Sequence, residues 1–323
     1  MHPHRLEVMN TIEPQLPALM EKYLIPIEEN WQPTDLLPDS SRDTFFEEVR
    51  ELRELAKELS YDFWAVLIGD TITEEALPTY ESWLMDVVGV DQHKANGWSQ
   101  WVRSWTAEEN RHGDLLNKYL YLSGQVNMRE MEISTQYLIA DGFDIGTDRD
   151  PYRNFIYTSF QEIATNISHR RVAAFAKKMS NPNLAKMCGI IAADEARHAR
   201  AYMHFVKLIM EFDPSEMMLA FEDMMRKKIV MPAHFLRETG QKIGDLFSHF
   251  SDAAQRMGVY TAVDYVEILN RLLNDWEIDK VTGLNDQAER ARDYVMALPA
   301  RLSRVADRVR IPEKPYSFNW ITV

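Results

Sequence analysis

The stretch Asp194-Glu195-Ala196-Arg197-His198 repeats an earlier one, Glu108-Glu109-Asn110-Arg111-His112, in the pattern acid, Glu, any residue, Arg, His. On a helix, positions i and i+3 share a face, so each copy presents one carboxylate and one imidazole in the same direction, Glu109 with His112 and Glu195 with His198. With 27 Glu and 9 His in 323 residues, about one Glu-x-x-His is expected by chance, and a single copy reads as a solvated or salt-bridged helix face. A second copy with the same flanking acid and arginine does not. An unpaired glutamate also stands upstream of each copy: Glu74 precedes Glu109 by 35 residues and Glu162 precedes Glu195 by 33. The chain therefore holds two units of a glutamate on one helix and Glu-x-x-His on the next.

Four carboxylates and two imidazoles without a thiolate suit two divalent ions of intermediate hardness, and disfavour an iron–sulfur cluster or structural zinc. One Glu from each of two helices, with Glu-x-x-His from each of two others, is the donor pattern of ferritin-like di-iron and di-manganese carboxylate bundles. The expected fold is all-α, a ferritin-like di-iron four-helix bundle core with additional helices. The metal ligands are Glu74, Glu109, His112, Glu162, Glu195 and His198, holding two Fe ions per chain (Fe2+/Fe3+), with Mn as the alternative. Their four negative charges offset the four positive charges of the ions, which makes buried acids tolerable.

Working outward, an opening helix is expected over Val8 to Leu24, then a Pro-broken connection carrying Trp31. Apolar positions Phe45, Val49, Leu52, Leu55, Leu59 and Phe63 recur at three and four and predict one long amphipathic helix from a cap at Ser41. A second, Ile72 to Val88, carries Glu74 and tolerates Pro78 near its start. Later helices are expected over Trp98 to Leu122, Met131 to Ala140, Tyr152 to Met179, Leu184 to Phe212, Pro214 to Lys228, Ala262 to Trp276 and Ala288 to Val309. The expectation is one domain over residues 1 to 323, with the metal-bearing core at about 41 to 212 and added helices and a tail at about 213 to 323.

Composition removes several function classes. One cysteine, Cys188, excludes a disulfide framework and a four-cysteine iron site, and reads as a small buried residue. No apolar run is long enough for a membrane span. A net charge of −14 with no basic run argues against nucleic acid. The N-terminus, Met1-His2-Pro3-His4-Arg5-Leu6-Glu7, shows neither a signal core nor transit-peptide character, so a soluble cytoplasmic protein is expected. A carboxylate-bridged iron pair can activate dioxygen and supply an oxidant for an unactivated methylene, a chemistry shared by several families. Ferritins are far shorter and rubrerythrin-type peroxidases need more cysteines, whereas ribonucleotide reductase small subunits and multicomponent monooxygenases fit the ligands alone.

Longer stretches decide among these. Gly69-Asp70-Thr71-Ile72-Thr73-Glu74-Glu75-Ala76-Leu77-Pro78-Thr79-Tyr80, Trp105-Thr106-Ala107-Glu108-Glu109-Asn110-Arg111-His112-Gly113, Phe155-Ile156-Tyr157-Thr158-Ser159-Phe160-Gln161-Glu162, Ala192-Ala193-Asp194-Glu195 and Met224-Met225-Arg226-Lys227-Lys228 resemble the soluble acyl-[acyl-carrier-protein] desaturases. The likeness runs from about Trp31 to Trp320. It implies O2-dependent insertion of a cis double bond into a saturated fatty acyl chain on acyl carrier protein, by default Δ9 on a C16–C18 chain, with electrons from ferredoxin, in a homodimer. It places the family's six ligands on the residues above, with Glu109 and Glu195 bridging. It also implies roles for Asp194 behind a ligand histidine, for Trp31 beside it on an electron route, and for Thr165 near the oxygen site. Trp83, Asp86, Val87 and Ile145 fall where the family lines or adjoins its acyl cavity. Arg226, Lys227 and Lys228, with Arg290, Arg292, Arg301 and Arg304, are candidates for a basic patch that docks the acidic carrier. Hydroxylase or oxidase turnover on the same centre, and a non-catalytic ferritin-like iron-binding protein, are the competing readings.

Overall fold

A computed structural model describes residues 3–322. Among the described residues thirteen α-helices follow one another: α1 (Pro3–Ile12), α2 (Leu16–Tyr23), α3 (Phe45–Lys57), α4 (Tyr61–Glu75), α5 (Leu77–Met85), α6 (Gly97–Ser123), α7 (Met128–Asp141), α8 (Pro151–Lys178), α9 (Pro182–Phe212), α10 (Pro214–Lys227), α11 (Phe247–Met257), α12 (Ala262–Asp275) and α13 (Asp286–Ala306). No strand occurs among the described residues. A single antiparallel bridge, Val126 with Ile321, fastens the C-terminal tail, and the buried Trp320 beside it donates its indole N–H to Ser134 at 2.8 Å.

The expected all-α class holds, and the boundaries move for local reasons. The opening helix is two, because Pro14 and Pro17 force a tight turn between α1 and α2. The long helix expected from Ser41 is also two. Ser60 caps a new start by accepting from the Phe63 N–H, so α4 begins afresh at Tyr61. Glu74 therefore lies on α4, and the break before Pro78 falls at Ala76. Two or three helices are expected in the last third before the basic one, and α11 is one for which the sequence carries no bounds.

Helices α4, α6, α8 and α9 form the bundle and carry the six expected ligands. Helix α8 packs along α9, and α6 lies against both α4 and α9. Gly113, directly after His112, permits the α4–α6 contact: a Cβ there would stand 3.1 Å from the Glu74 carbonyl carbon. Trp98, Trp101 and Trp105 are buried on α6 and pack against Phe155, Tyr202 and Phe205 of α8 and α9.

The later helices wall off one side of the bundle, with α10 and α12 on α8 and α11 on α4. Asp264 fixes the start of α12. It accepts the Thr261 N–H and hydroxyl at 2.7 and 2.8 Å, and receives Arg171 of α8 through both carboxylate oxygens at 2.7 and 2.6 Å. Burial alone would raise its carboxyl; Arg171 and Thr261 outweigh that and hold it below the usual range. A folded-state pKa below the unfolded one gives stability that is present at neutral pH and lost as pH falls through the lowered value. We expect Asp264→Asn to destabilise by about 2–3 kcal/mol at pH 7. Denaturant midpoints should show that gap narrowing as both proteins are acidified; a constant gap would remove the charge from the account.

Candidate metal centre

The two histidines meet in the middle of the bundle with Nδ1 inward. His112 Nδ1 lies 3.3 Å from Glu109, 3.3 Å from Glu195 and 3.7 Å from Glu74. His198 Nδ1 lies 2.5 Å from Glu109 and 3.8 Å from Glu162. Two four-residue groups result, Glu74, Glu109, His112 and Glu195, and Glu109, Glu162, Glu195 and His198, each with donor atoms within 4.8 Å of one another. Glu109 and Glu195 belong to both groups. All six sequence-derived ligands are thus brought together, and the two shared carboxylates are those named as bridging.

The flanking acids and arginines of the repeat explain themselves crosswise. Asp194, from the second copy, contacts His112 Nε2 of the first at 3.3 Å and accepts from Arg111 at 3.0 Å. Glu108, from the first copy, contacts His198 Nε2 of the second at 2.8 Å and Arg197 at 2.5 Å. Each acid fixes the ring of the opposite histidine so that Nδ1 faces the centre. The sequence reading missed Glu108, although the repeat itself was the available signal: what Asp194 does in one copy, Glu108 does in the other. Two further partners had no sequence signal. Trp105 donates its indole N–H to Glu162 at 3.1 Å, and His169 Nε2 lies 2.9 Å from Glu74.

Trp31, half-buried, donates its indole N–H to Asp194 at 3.0 Å and lies parallel to the His112 ring, 7° between planes and 6.1 Å between centroids. Thr165 donates its hydroxyl to Glu195 at 2.7 Å. Cys188 is buried.

Three atoms at the centre, Glu109 Oε1, His112 Nδ1 and His198 Nδ1, are buried without a hydrogen bond of good geometry, although His198 Nδ1 approaches Glu109 to 2.5 Å. Such acceptors are costly unless a cation completes them, and the oxygen and imidazole set suits two divalent ions. The residues therefore fit a metal pair. Burial, then Glu109 and Glu195, push the Glu162 carboxyl well up. His198 is raised to about 9 by Glu109 and Glu108 against the opposing effect of burial. Protons held by this set must leave as cations enter.

A cavity of about 660 Å³ reaches the centre, with Glu74, Glu109, Glu195, Trp105 and Thr165 in its wall. Its rim carries Val305 near the end of α13 and Val309 just past it, both exposed, together with Lys227 and Lys228. Its inner wall includes Leu77 and Tyr80 of α5. The four expected channel residues are not in this wall. Asp86 is exposed and pairs with Arg149 at 2.7 Å, Trp83 packs edge-on against Tyr157, Ile145 is buried, and Val87 lines a separate void of about 10 Å³.

The expected basic patch is also divided. Arg226 is held by Glu222 at 2.6 Å and stacks on Tyr294, over which Arg301 also lies. Lys227 is paired with Asp148 and Asp223. Lys228 has no ion pair among the described residues. Arg290, Arg301 and Arg304 are exposed, and Arg292 donates to the Val281 carbonyl at 3.2 Å.

Residues 4–322 match the family model described as fatty acid desaturase. The chain belongs to the fatty acid desaturase family. It is 51% identical over 327 residues to the stearoyl-[acyl-carrier-protein] 9-desaturase, chloroplastic, of Ricinus communis, covering 99% of this chain and 82% of that one. It is 50% identical to the acyl-[acyl-carrier-protein] desaturase, chloroplastic, of Cucumis sativus, with the same coverage of both chains. The X-ray structure of DesA2 from Mycobacterium tuberculosis H37Rv superposes with a TM-score of 0.55 at 17% identity, covering 88% of this chain and 99% of that one, and so shares the fold. The cytoplasmic expectation is corrected by the plant relatives, which are named as chloroplastic enzymes. It rested on an N-terminal segment whose first two residues, Met1 and His2, lie outside the described residues. No helix of the desaturase among the described residues is long and apolar enough to cross a membrane.

Proposed function

We propose that this desaturase inserts a cis double bond into a saturated acyl chain presented on acyl carrier protein, by default at Δ9 of a C16–C18 chain. The observation that carries the reading is the apolar cavity that opens at the surface and runs to the shared glutamates. The relatives' names give the substrate class and the bond position. Balance requires saturated chain, O2, two electrons and two protons to give alkene and two waters; ferredoxin is the proposed donor, and a homodimer the proposed assembly.

Glu74, Glu109, His112, Glu162, Glu195 and His198 would hold two iron ions, with manganese as the alternative, and the pair would supply dioxygen activation at the cavity wall. The chain's own residues do the rest. Asp194 and Glu108 orient the two imidazoles, and the apolar cavity wall excludes water and stretches the chain past the centre. Thr165 offers a hydroxyl at the face of Glu195 that meets the cavity. Trp31 and Asp194 form a hydrogen-bonded link from the half-buried indole to His112, the proposed electron route. Lys228, with Arg301 and Arg304 beside the α13 rim, is the proposed local attraction for an acidic carrier that the net charge of −14 would otherwise repel.

The test incubates the iron-loaded protein and reduced ferredoxin with a ladder of saturated chains on acyl carrier protein, in parallel with free acids and coenzyme A esters. Double-bond position is read by gas chromatography and mass spectrometry. One cis-alkene made from the carrier substrates alone is the expected result. Hydroxylated product would move the function to hydroxylase, and iron uptake well beyond two ions per chain without alkene would move it to iron binding. Trp83 is one turn from Tyr80 of the inner wall on α5, and a part in chain length is proposed for it on that proximity. Trp83→Ala should shift the preferred rung of the ladder toward longer chains; an unchanged preference would leave Tyr80 to set the limit.

A further inference from the structure

His234 stands in the wall of the large cavity, outside the six-donor cluster, and nothing described so far uses it. It lies in a short helical turn, Pro232–Phe235, in the connection between α10 and α11. Its ring is fixed on several sides. Its face lies on Phe247 with centroids 3.6 Å apart and 21° between planes. Gly244, at φ +84°, approaches so closely that a Cβ would stand 2.9 Å from the His234 carbonyl oxygen, so this packing requires a glycine.

The tautomer follows from the backbone around it. Nδ1 lies 3.0 Å from the Met231 N–H and 2.9 Å from the Met231 carbonyl. That carbonyl is already served by the His234 backbone N–H at 2.9 Å, whereas the Met231 N–H has only Nδ1. Satisfying both backbone groups makes Nδ1 the acceptor, which leaves the ring hydrogen on Nε2. Burial lowers the ring's pKa against a smaller raising effect of the Met231 backbone, which favours the neutral ring. Among the described residues Nε2 has no hydrogen-bond partner, and it is not one of the sealed, unpartnered atoms. The eight consecutive residues from Lys227 at the rim to His234 all belong to the same cavity wall.

An N–H donor that opens on a mostly apolar cavity offers a bound molecule one polar partner there, and a saturated alkyl chain has no acceptor for it. The carrier-borne substrate does have acceptors, the thioester carbonyl and the amide carbonyls of the phosphopantetheine linker. We propose that His234 is a positioning residue whose Nε2–H holds a carbonyl of this linker, and so sets which carbon reaches the centre. This rests on the acyl-carrier reading above.

Two substitutions separate the linker role from a purely local one. In His234→Asn the amide oxygen can replace Nδ1 and keep the Met231 contact, but nothing stands at Nε2. In His234→Gln the amide N–H can replace Nε2 while the Met231 contact is lost. Each is compared with wild type for KM, kcat and bond position on acyl carrier protein. Binding affinity is measured on metal-free and loaded protein, with the thioester and with a thioether analogue that lacks the thioester carbonyl.

We expect His234→Asn to raise KM and Kd for the thioester by about three- to tenfold, with kcat little changed and the double bond spread over neighbouring carbons. His234→Gln should stay close to wild type. Equal binding of the thioether by wild type and His234→Asn assigns the acceptor to the thioester; a retained difference assigns it to an amide. Wild-type behaviour of His234→Asn overturns the proposal, as does impairment confined to His234→Gln. Metal content and melting temperature check that both variants fold. A wild-type protein that binds acyl carrier protein without making alkene would count against the function, not against His234.

Discussion

Glu195→Ala is expected to leave the protein without a metal pair and to reduce alkene formation by more than about a thousandfold, since the pair supplies the oxidising chemistry. Glu195 is a member of both donor groups, so removing it takes a ligand from two sites at once. It also takes a partner from two neighbours: His112 Nδ1 loses a carboxylate 3.3 Å away, and the Thr165 hydroxyl, without its acceptor at 2.7 Å, falls back on the Gln161 and Glu162 carbonyls. Glu74→Ala, by contrast, touches one group only and should retain part of the metal. Elemental analysis after reconstitution, with circular dichroism as the control for folding, makes the comparison. A Glu195→Ala protein holding two ions per chain would refute the assignment of the shared carboxylates.

The second large effect concerns the acids behind the histidines. Glu108→Gln and Asp194→Asn should each weaken metal affinity or activity by about 10- to 100-fold, the usual consequence of losing a group that orients a ligand. The metal losses should be alike, because each acid serves one histidine and one or both arginines in mirror fashion. Their reduction kinetics should differ. Only Asp194 also holds the Trp31 indole, so Asp194→Asn and Trp31→Phe should both slow reduction of the loaded centre by ferredoxin, and Glu108→Gln should not. Trp31→Phe keeps every metal ligand, and stopped-flow spectroscopy on it isolates the route from the site. Equal reduction rates in Trp31→Phe and wild type would remove Trp31 from the route.

The six donors were legible because helical spacing turns Glu-x-x-His into one face, and because the pattern occurs twice. Which helix carried Glu74 was not legible. The run from Phe63 to Ile68 is apolar at every position and buried throughout, so it shows no period from which to place a boundary. The interruption at Glu58 to Ser60 is too short to break the three-and-four pattern running from Phe45 to Phe63. Trp105, His169 and His234 depend on contacts between helices or across a turn, and no spacing along the chain encodes those. The channel positions show the same limit in reverse. A likeness to known sequences placed Asp86 near a cavity, whereas here it turns outward to Arg149.

The crosswise acids have a bearing on how this sequence can drift. Glu108 meets a histidine 90 positions further along the chain, and Asp194 meets one 82 positions back. A substitution in either motif is therefore felt in the other copy as well as by its own neighbours. The unit that works is the pair of motifs, since losing the acid of one half takes away the partner of the histidine in the other.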